Sequence, residues 1–409
     1  MKEFDLVVIG GGAAGFFCAV NVASQHPGAR IAIADRASKF LSKVKISGGG
    51  RCNVTHHCFD VRELIRYYPR GSKQLRQAFT RFQPADTVAW FAQRGVKLVA
   101  EADGRMFPTT NSSQTIIDCL MGEAHRYGVQ LLSGCGIRQL QPQQTQWTLI
   151  TDREETIITK NVLLATGGFP KKAQYDFISG LGIRTVDPVP SLFTFIVNDD
   201  TLTSLAGIAV PQAAIKIAGS KTWYNGPVLI THQGLSGPAI LKTSAFAARE
   251  LFEQHYSFTL FINWLPHSTQ DELLQQLQQA KHTDSKKKLT NAKPVQIPER
   301  LWTYFLDRAQ ADAELRWGDV SNKVLQRLVQ LLTAFEVKVS GKNTFKDEFV
   351  TAGGVDLDEV DFTTMQSRQY SGLYFAGEVL DIDGVTGGFN FQAAWTTGWI
   401  AAQSISNTL

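Results

Sequence analysis

The chain has 409 residues, 44% of them hydrophobic and 19% charged, and its 41 Lys and Arg against 37 Asp and Glu leave a net charge of +4. That length exceeds what one hydrophobic core usually serves, so two or three domains are expected, while the near balance of charge gives no ground for a nucleic-acid or membrane partner. Five cysteines (Cys18, Cys52, Cys58, Cys119, Cys135) without CxxC spacing speak against a disulfide framework and a metal site, and an opening MKEFDLVVIG without a basic region or long apolar core points to a soluble, cytoplasmic protein.

In chain order, Leu6 to Ile9 is an unbroken apolar run followed by glycines and an Ala-rich stretch through Val22, which predicts a buried parallel strand, a tight turn and a helix. Ile31 to Ala34 is a second such run and closes a βαβ unit. The turn reads Gly10-x-Gly12-x-x-Gly15, with Asp35 at the end of the next strand. Gly10 permits the sharp turn, Gly12 lets a pyrophosphate approach the backbone, and Gly15 lets helix and sheet pack closely. Helix N–H groups then face the phosphates, and Asp35 accepts from ribose hydroxyls while disfavouring a 2′-phosphate. Ser47-Gly48-Gly49-Gly50-Arg51-Cys52-Asn53 follows, and three consecutive glycines make sense where backbone crowds a ligand.

From Trp147 to Thr166 two alternating runs flank the polar turn Asp152 to Glu155 before a fully apolar strand, a β-meander returning to the parallel sheet. Ala165-Thr166-Gly167-Gly168 ends that strand where backbone must pass close to a cofactor. After Pro188 and Pro190 the segments SLFTFIV, AAIKIAG, PVLITH and HYSFTLFINW predict a β-rich domain, and 268–332 turns helical, with Leu273, Leu274 and Leu277 on one face and Val320, Val324, Leu325, Leu328, Leu331 and Leu332 on another. Phe335 to Val339 returns to strand alternation. The last sixty residues bring a strand at Leu373 to Ala376, then Gly377-Glu378, then Thr386-Gly387-Gly388-Phe389-Asn390-Phe391 opening a final helix. Glu378 is placed to bind ribitol hydroxyls, and a helix N-terminus aimed at a flavin would stabilise the negative charge that develops on its reduction. Contacts at both ends of the chain favour FAD, which is longer than NAD and needs them.

These segments resemble the BaiN-like or YhiN-like flavoproteins, the aminoacetone oxidase family of FAD-binding enzymes. The resemblance is carried by Val7 to Ala19, Lys45 to His56, Leu163 to Gly168, Pro227 to Leu241 and Phe349 to Trp395. It implies an α/β fold: a Rossmann-like FAD-binding domain, glutathione-reductase-type with a β-meander, carrying an inserted β-barrel domain and a helical subdomain. The expected boundaries are 1–190 with 346–409 for the FAD domain, 191–267 with 333–345 for the barrel, and 268–332 for the helices. It further implies that the Ser47 to Asn53, Ala165 to Gly168 and Gly387 to Gln392 segments line FAD. The expected cofactor-binding set is completed by Ala13, Ala14, Arg36, Lys45, Gly136 and Ile137. Family members act on small amines or unsaturated carbonyl compounds. The loop after ATGG is shorter here and carries Lys171-Lys172, a departure at the expected entry path for substrate or reductant.

Two side chains are candidates for catalysis. His232, in Thr231-His232-Gln233-Gly234 after a predicted barrel strand, carries an imidazole, a side chain that suits a proton donor or acceptor beside a flavin; the alternative is a loop histidine bonded to backbone. Cys52 is the second, with inert packing as the alternative. No second GxGxxG appears, so NAD(P)H as reductant would dock transiently. The reading is an FAD-dependent oxidoreductase moving hydride between flavin and a small molecule. The alternative is a flavin-dependent RNA-modifying or RNA-binding protein, whose one support is the basic run Lys286-Lys287-Lys288, otherwise a solvated face.

Overall fold

The computed structural model describes residues 2–312, 314–343 and 350–409. Contacts divide the chain into two compact units, Met1–Ser191 with Phe345–Leu409, and Leu192–Thr344.

In the first unit, β1 (Lys2–Ile9) pairs in parallel with β2 (Ile31–Asp35) on one side and with Thr156–Leu164 on the other, and Gln130–Ser133 and Leu373–Phe375 extend the parallel core at its two edges. The strand Thr156–Leu164 belongs to two structures at once. Its first half alternates buried and half-exposed residues and pairs with the meander strand Trp147–Thr151, while Val162 to Leu164 are all buried in the parallel sheet. One face of the meander is open, whereas the parallel core is covered on both, and the side-chain pattern follows. The helix α1 (Ala13–Gln25) is buried along nearly its whole length against the last helix, Phe389–Ser406. Small residues permit that closeness: a Cβ on Gly398 would stand 2.7 Å from the carbonyl oxygen of Ala14.

Residues 51–110, for which local sequence pattern offers no element, form a small antiparallel sheet (Thr55–His56, Arg105–Pro108, Leu98–Ala100) with helices Ser72–Phe79 and Pro84–Ala92. Polar side chains seat this layer on the last helix. Gln392 accepts from the hydroxyls of Thr55 (2.6 Å) and Thr87 (2.9 Å), and Trp395 donates to the carbonyl of Val54 at 2.9 Å.

The second unit is a closed antiparallel barrel of six strands, in the order Thr194–Val197, Gly234–Ser236, Tyr224–Thr231, Ala209–Ile217, Phe258–Asn263 and Phe335–Asn343. Closure removes the sheet edges that would otherwise invite pairing with another chain. Helices Gln270–Thr283, Glu299–Arg308 and Asn322–Thr333 share one apolar cluster with the barrel, so Ile215 and Ile262 of the strands and Leu277, Phe305 and Leu328 of the helices are buried together. The helix drawn from the leucine pattern starts later than its first apolar residue, because Ser321 caps it by accepting from the N–H of Val324, which leaves Val320 outside.

Candidate functional site

The N-terminal turn is built by backbone crowding. Gly10 has φ +114°, a conformation that suits glycine, and a Cβ there would collide with the carbonyl of Ala165. That same contact, with Ala165 N–H donating to Ile9 at 2.8 Å, brings the Ala165–Gly168 turn onto the Gly10 turn. A Cβ on Gly12 would meet nothing within 4 Å, so the α1 N-terminus, with Ala13 and Ala14 as its first residues, opens onto free space. Asp35 is held by two backbone donors, Gly11 N–H at 2.6 Å and Ala37 N–H at 2.7 Å. Fixed this way, its carboxylate keeps lone pairs for ribose hydroxyls. Just beyond it, the N–H of Cys135 donates to the Asp35 carbonyl, and Gly136 lies against the Arg36–Asp152 ion pair (3.1 Å), with Ile137 buried behind. The sequence-derived residues of this end come together.

The triple-glycine segment is the broken end of a helix. Ser42–Gly50 loses helical geometry at Ser47 (ψ 147°) and at Gly48 and Gly49, both left-handed. Gly49 and Gly50 face open space, and Lys45 is exposed nearby. Arg51 is turned to other work: it pairs with Glu101 at 2.7 Å and lies 4.0 Å over the Phe107 ring. Asn53 bridges two backbone groups, donating to the Thr55 carbonyl and accepting from Gly388 N–H, each at 3.0 Å. This bond ties the triple-glycine segment to the C-terminal loop.

At that loop, Glu378 accepts from Thr351 N–H at 2.9 Å and from the Lys43 ammonium at 2.8 Å. A Cβ on Gly168 would stand 2.8 Å from the Thr351 hydroxyl and 3.0 Å from Glu378, and Gly167 is adjacent. The Thr351 hydroxyl is buried and has no hydrogen-bond partner among the described residues. A buried hydroxyl left unpaired costs about 1–3 kcal/mol, so a partner supplied by a ligand would remove a real penalty. Gly377 N–H donates to Thr397, Asn390 and Gly384 exchange two hydrogen bonds (2.8 and 2.9 Å), and Phe391 stacks on Trp395. Thr386 is exposed and Gly387 carries φ +132°. Phe389 packs on Tyr67 with centroids 4.3 Å apart and on His56 at 4.6 Å.

The two catalytic candidates fall differently. Cys52 is fully buried at φ +61°, and burial pushes its thiol up to about 12. That is the setting of a packing thiol, since a nucleophile or acid of this kind needs access and a lower value. His232 occupies the exposed turn between Tyr224–Thr231 and Gly234–Ser236 of the barrel unit, whereas every cofactor-binding candidate lies in the other unit.

Three residues have no counterpart among the candidates drawn from sequence. Thr351 and Lys43 carry no motif of their own, though Thr351 sits within the Phe349 to Trp395 stretch. His56 closes the Lys45 to His56 stretch, so a titratable group inside a specific motif is the signal that could have found it. Its Nδ1 is buried without a partner among the described residues, and burial holds the imidazole below the usual histidine range despite the opposing charge of Asp103.

The open space at Gly12, Gly49 and Gly50, the fixed Asp35 carboxylate and the unpaired Thr351 hydroxyl fit a bound FAD. In that fit Asp35 would take the ribose, the α1 N-terminus the pyrophosphate, and Glu378 with Thr351 the ribitol.

A family model described as the HI0933-like protein Rossmann domain matches residues 4–404. The chain is 31% identical to a ribosomal RNA dihydrouridine synthase of Escherichia coli over 99% of its own length and 98% of that protein's. It is 26% identical to a 3-dehydro-bile acid delta(4,6)-reductase of Clostridium scindens, covering 97% and 98% of the two chains. A 3-ketosteroid delta1-dehydrogenase from Sterolibacterium denitrificans shares the fold, with a TM-score of 0.53 at 11% identity and 100% of both chains covered.

Proposed function

The chain belongs to the HI0933-like Rossmann family, and from that premise we propose that it is an FAD-dependent oxidoreductase that adds two hydrogens across a carbon–carbon double bond conjugated to a carbonyl, with uridine in RNA as its substrate. Both named relatives point to that bond type. Dihydrouridine is uridine saturated at a ring double bond conjugated to a carbonyl, and a delta(4,6)-reductase acting on a 3-keto ring system saturates a conjugated enone. The higher identity, 31% over nearly the whole of both chains, favours the nucleobase over the steroid.

The observation that carries the cofactor is the unpaired Thr351 hydroxyl beside Glu378 and Gly168, at the carboxyl edge of a sheet where α/β proteins collect ligands. When bound, reduced flavin supplies hydride to the electron-poor carbon of the double bond. The protein's residues orient the reactants and supply a proton to the neighbouring carbon. His56 is the candidate for that proton. NADH or NADPH is the proposed reductant, docking transiently.

The test is anaerobic. Protein reduced with NADPH or NADH is mixed with a uridine-containing ribosomal RNA transcript, or with a soluble cyclic enone, and return of the oxidised flavin band is followed with dihydrouridine analysis. RNA reoxidising the flavin with dihydrouridine formed supports the reading. Reoxidation by oxygen alone would overturn it.

A further inference from the structure

The chain's positive charge is unevenly placed. Residues 51–110 hold ten Lys and Arg against five Asp and Glu, an excess larger than the +4 of the entire chain. Within 61–81 there are six basic residues and one acid, Glu63, with Tyr67 and Tyr68 among them. Helix Ser72–Phe79 buries Leu75, Ala78 and Phe79 and exposes Lys73, Arg76 and Gln77, whose spacing of three and four puts them on one face. Arg62 and Arg66, four apart, are also exposed.

These cations differ in their commitments. Arg70 is spent on the buried carboxylate of Asp383, and Arg81 donates to the carbonyl of Thr363. Arg62 and Arg66 are held loosely by Asp60 (3.8 Å) and Glu63 (3.0 Å) at exposed positions. Lys73 and Arg76 have no ion pair among the described residues. The run Lys286–Lys288 behaves otherwise: Lys287 pairs with Asp284 at 2.8 Å and Lys288 with Glu314, and the neighbouring Lys281 and Lys293 donate to the carbonyls of Val320 and Ile297. The basic run conspicuous in the sequence is largely answered by its own surroundings.

The 61–81 segment is also fastened to the candidate site. Val385 N–H donates to the Tyr67 carbonyl at 2.9 Å, the Tyr68 hydroxyl donates to the Phe389 carbonyl at 2.8 Å, and the Arg70–Asp383 pair closes the same loop. The helix that carries Lys73 and Arg76 thus follows directly on the residues, Tyr67, Tyr68 and Arg70, that bond to the Asp383–Phe389 stretch.

We infer that the Lys73/Arg76 face is an RNA-binding surface that grips phosphates of the strand presenting its uracil to the site. This rests on the reading of RNA uridine as substrate. Phosphate contacts of this kind position a strand without reading its sequence, and Tyr67, half-buried against Phe389, adds an aromatic of the sort on which unstacked bases lie.

The test measures binding of a fluorescein-labelled, uridine-containing RNA hairpin to the flavin-loaded full chain across a salt series. K73Q/R76Q should bind at least tenfold more weakly at physiological salt, with a log–log salt slope shallower by about 1.4, on the order of 0.7 for each single-strand phosphate that the variant no longer neutralises. K73R/R76K should keep wild-type binding. K286Q/K287Q/K288Q should also bind as wild type, and reduction of a soluble cyclic enone by K73Q/R76Q should be unaltered, which shows an intact fold. Wild-type affinity and slope in K73Q/R76Q overturn the surface, and dihydrouridine formed by the wild type in the same RNA then leaves the substrate reading standing. Wild-type protein that reduces the enone but neither binds nor reduces the RNA overturns both. Binding to anionic lipid vesicles in place of RNA overturns the surface as an RNA site.

Discussion

At the scale of single residues, the consequential groups are those whose hydrogen-bonding capacity the fold leaves open. Thr351→Val removes a hydroxyl that has no partner among the described residues. We expect its apo form to melt no lower than wild type while its FAD dissociation constant rises about three- to tenfold, the worth of one hydrogen bond of ~1 kcal/mol. Titrating FAD into apo-protein by fluorescence quenching checks this, and an unchanged constant would mean the hydroxyl faces no ligand. His56 offers a pH signature. Burial lowers its value, so the protonated donor is present at low pH and is lost as pH rises through a value below the usual 6.5 or so. The proton-dependent rate should therefore fall as pH rises, and His56→Gln should be roughly a hundredfold slower with a flat profile and full flavin content.

At the scale of elements, buried pairing and capping set what each segment contributes. Asp383 lies fully buried between Arg70 and the hydroxyl of Ser191, which donates to it at 2.7 Å. Asp383→Asn breaks the charged pairing of the fully buried carboxylate with Arg70 and should cost about 3–5 kcal/mol in chemical denaturation. Because Gly384 and Asn390 belong to the same loop, the variant should also lose FAD on gel filtration, and retention of the cofactor would show the loop to be held by other contacts. In the barrel unit, Thr269 and Glu272 form a reciprocal cap on helix Gln270–Thr283. Hydrogen bonds from Thr269 hold the exposed Glu272 carboxyl below its ordinary value. A carboxyl lowered in the folded state stabilises above its unfolded value of about 4.3, and that contribution fades as pH falls through the lower folded value. Thr269→Ala should therefore speed amide exchange in the helix's first turn at neutral pH, by an opening free energy of ~1 kcal/mol, and by less once the Glu272 carboxyl is protonated, when only the bond from the Glu272 N–H to the Thr269 hydroxyl is left to lose.

At the scale of the whole molecule, a ligand that binds only the folded state adds stability where it binds. With FAD at about a hundred times its dissociation constant the gain is ~2.7 kcal/mol. Hydrogen exchange with and without FAD should show the gain in the unit formed by 2–191 and 350–409, with its largest protection at 10–15, 47–53 and 384–391. Protection confined to the barrel unit would contradict the site. Local pattern was enough for the βαβ opening, the meander, the strands of the inserted domain and the glycine-rich loops, because apolar runs, period-two alternation and φ-positive turns are written within a few neighbouring residues. It was not enough for the layer at 51–110, whose short elements have no strong period and are held through Thr55, Thr87 and Val54 by a helix more than three hundred residues away. Nor was it enough to sort the cations and thiols. Lys288 and Lys73 look alike in a string of letters, and only the folded chain brings Glu314 to one and leaves the other to solvent. Cys52 looked eligible for chemistry until packing enclosed it, and Thr351 looked ordinary until packing buried its hydroxyl alone, since burial and partnership arise from long-range contacts that no local repeat encodes.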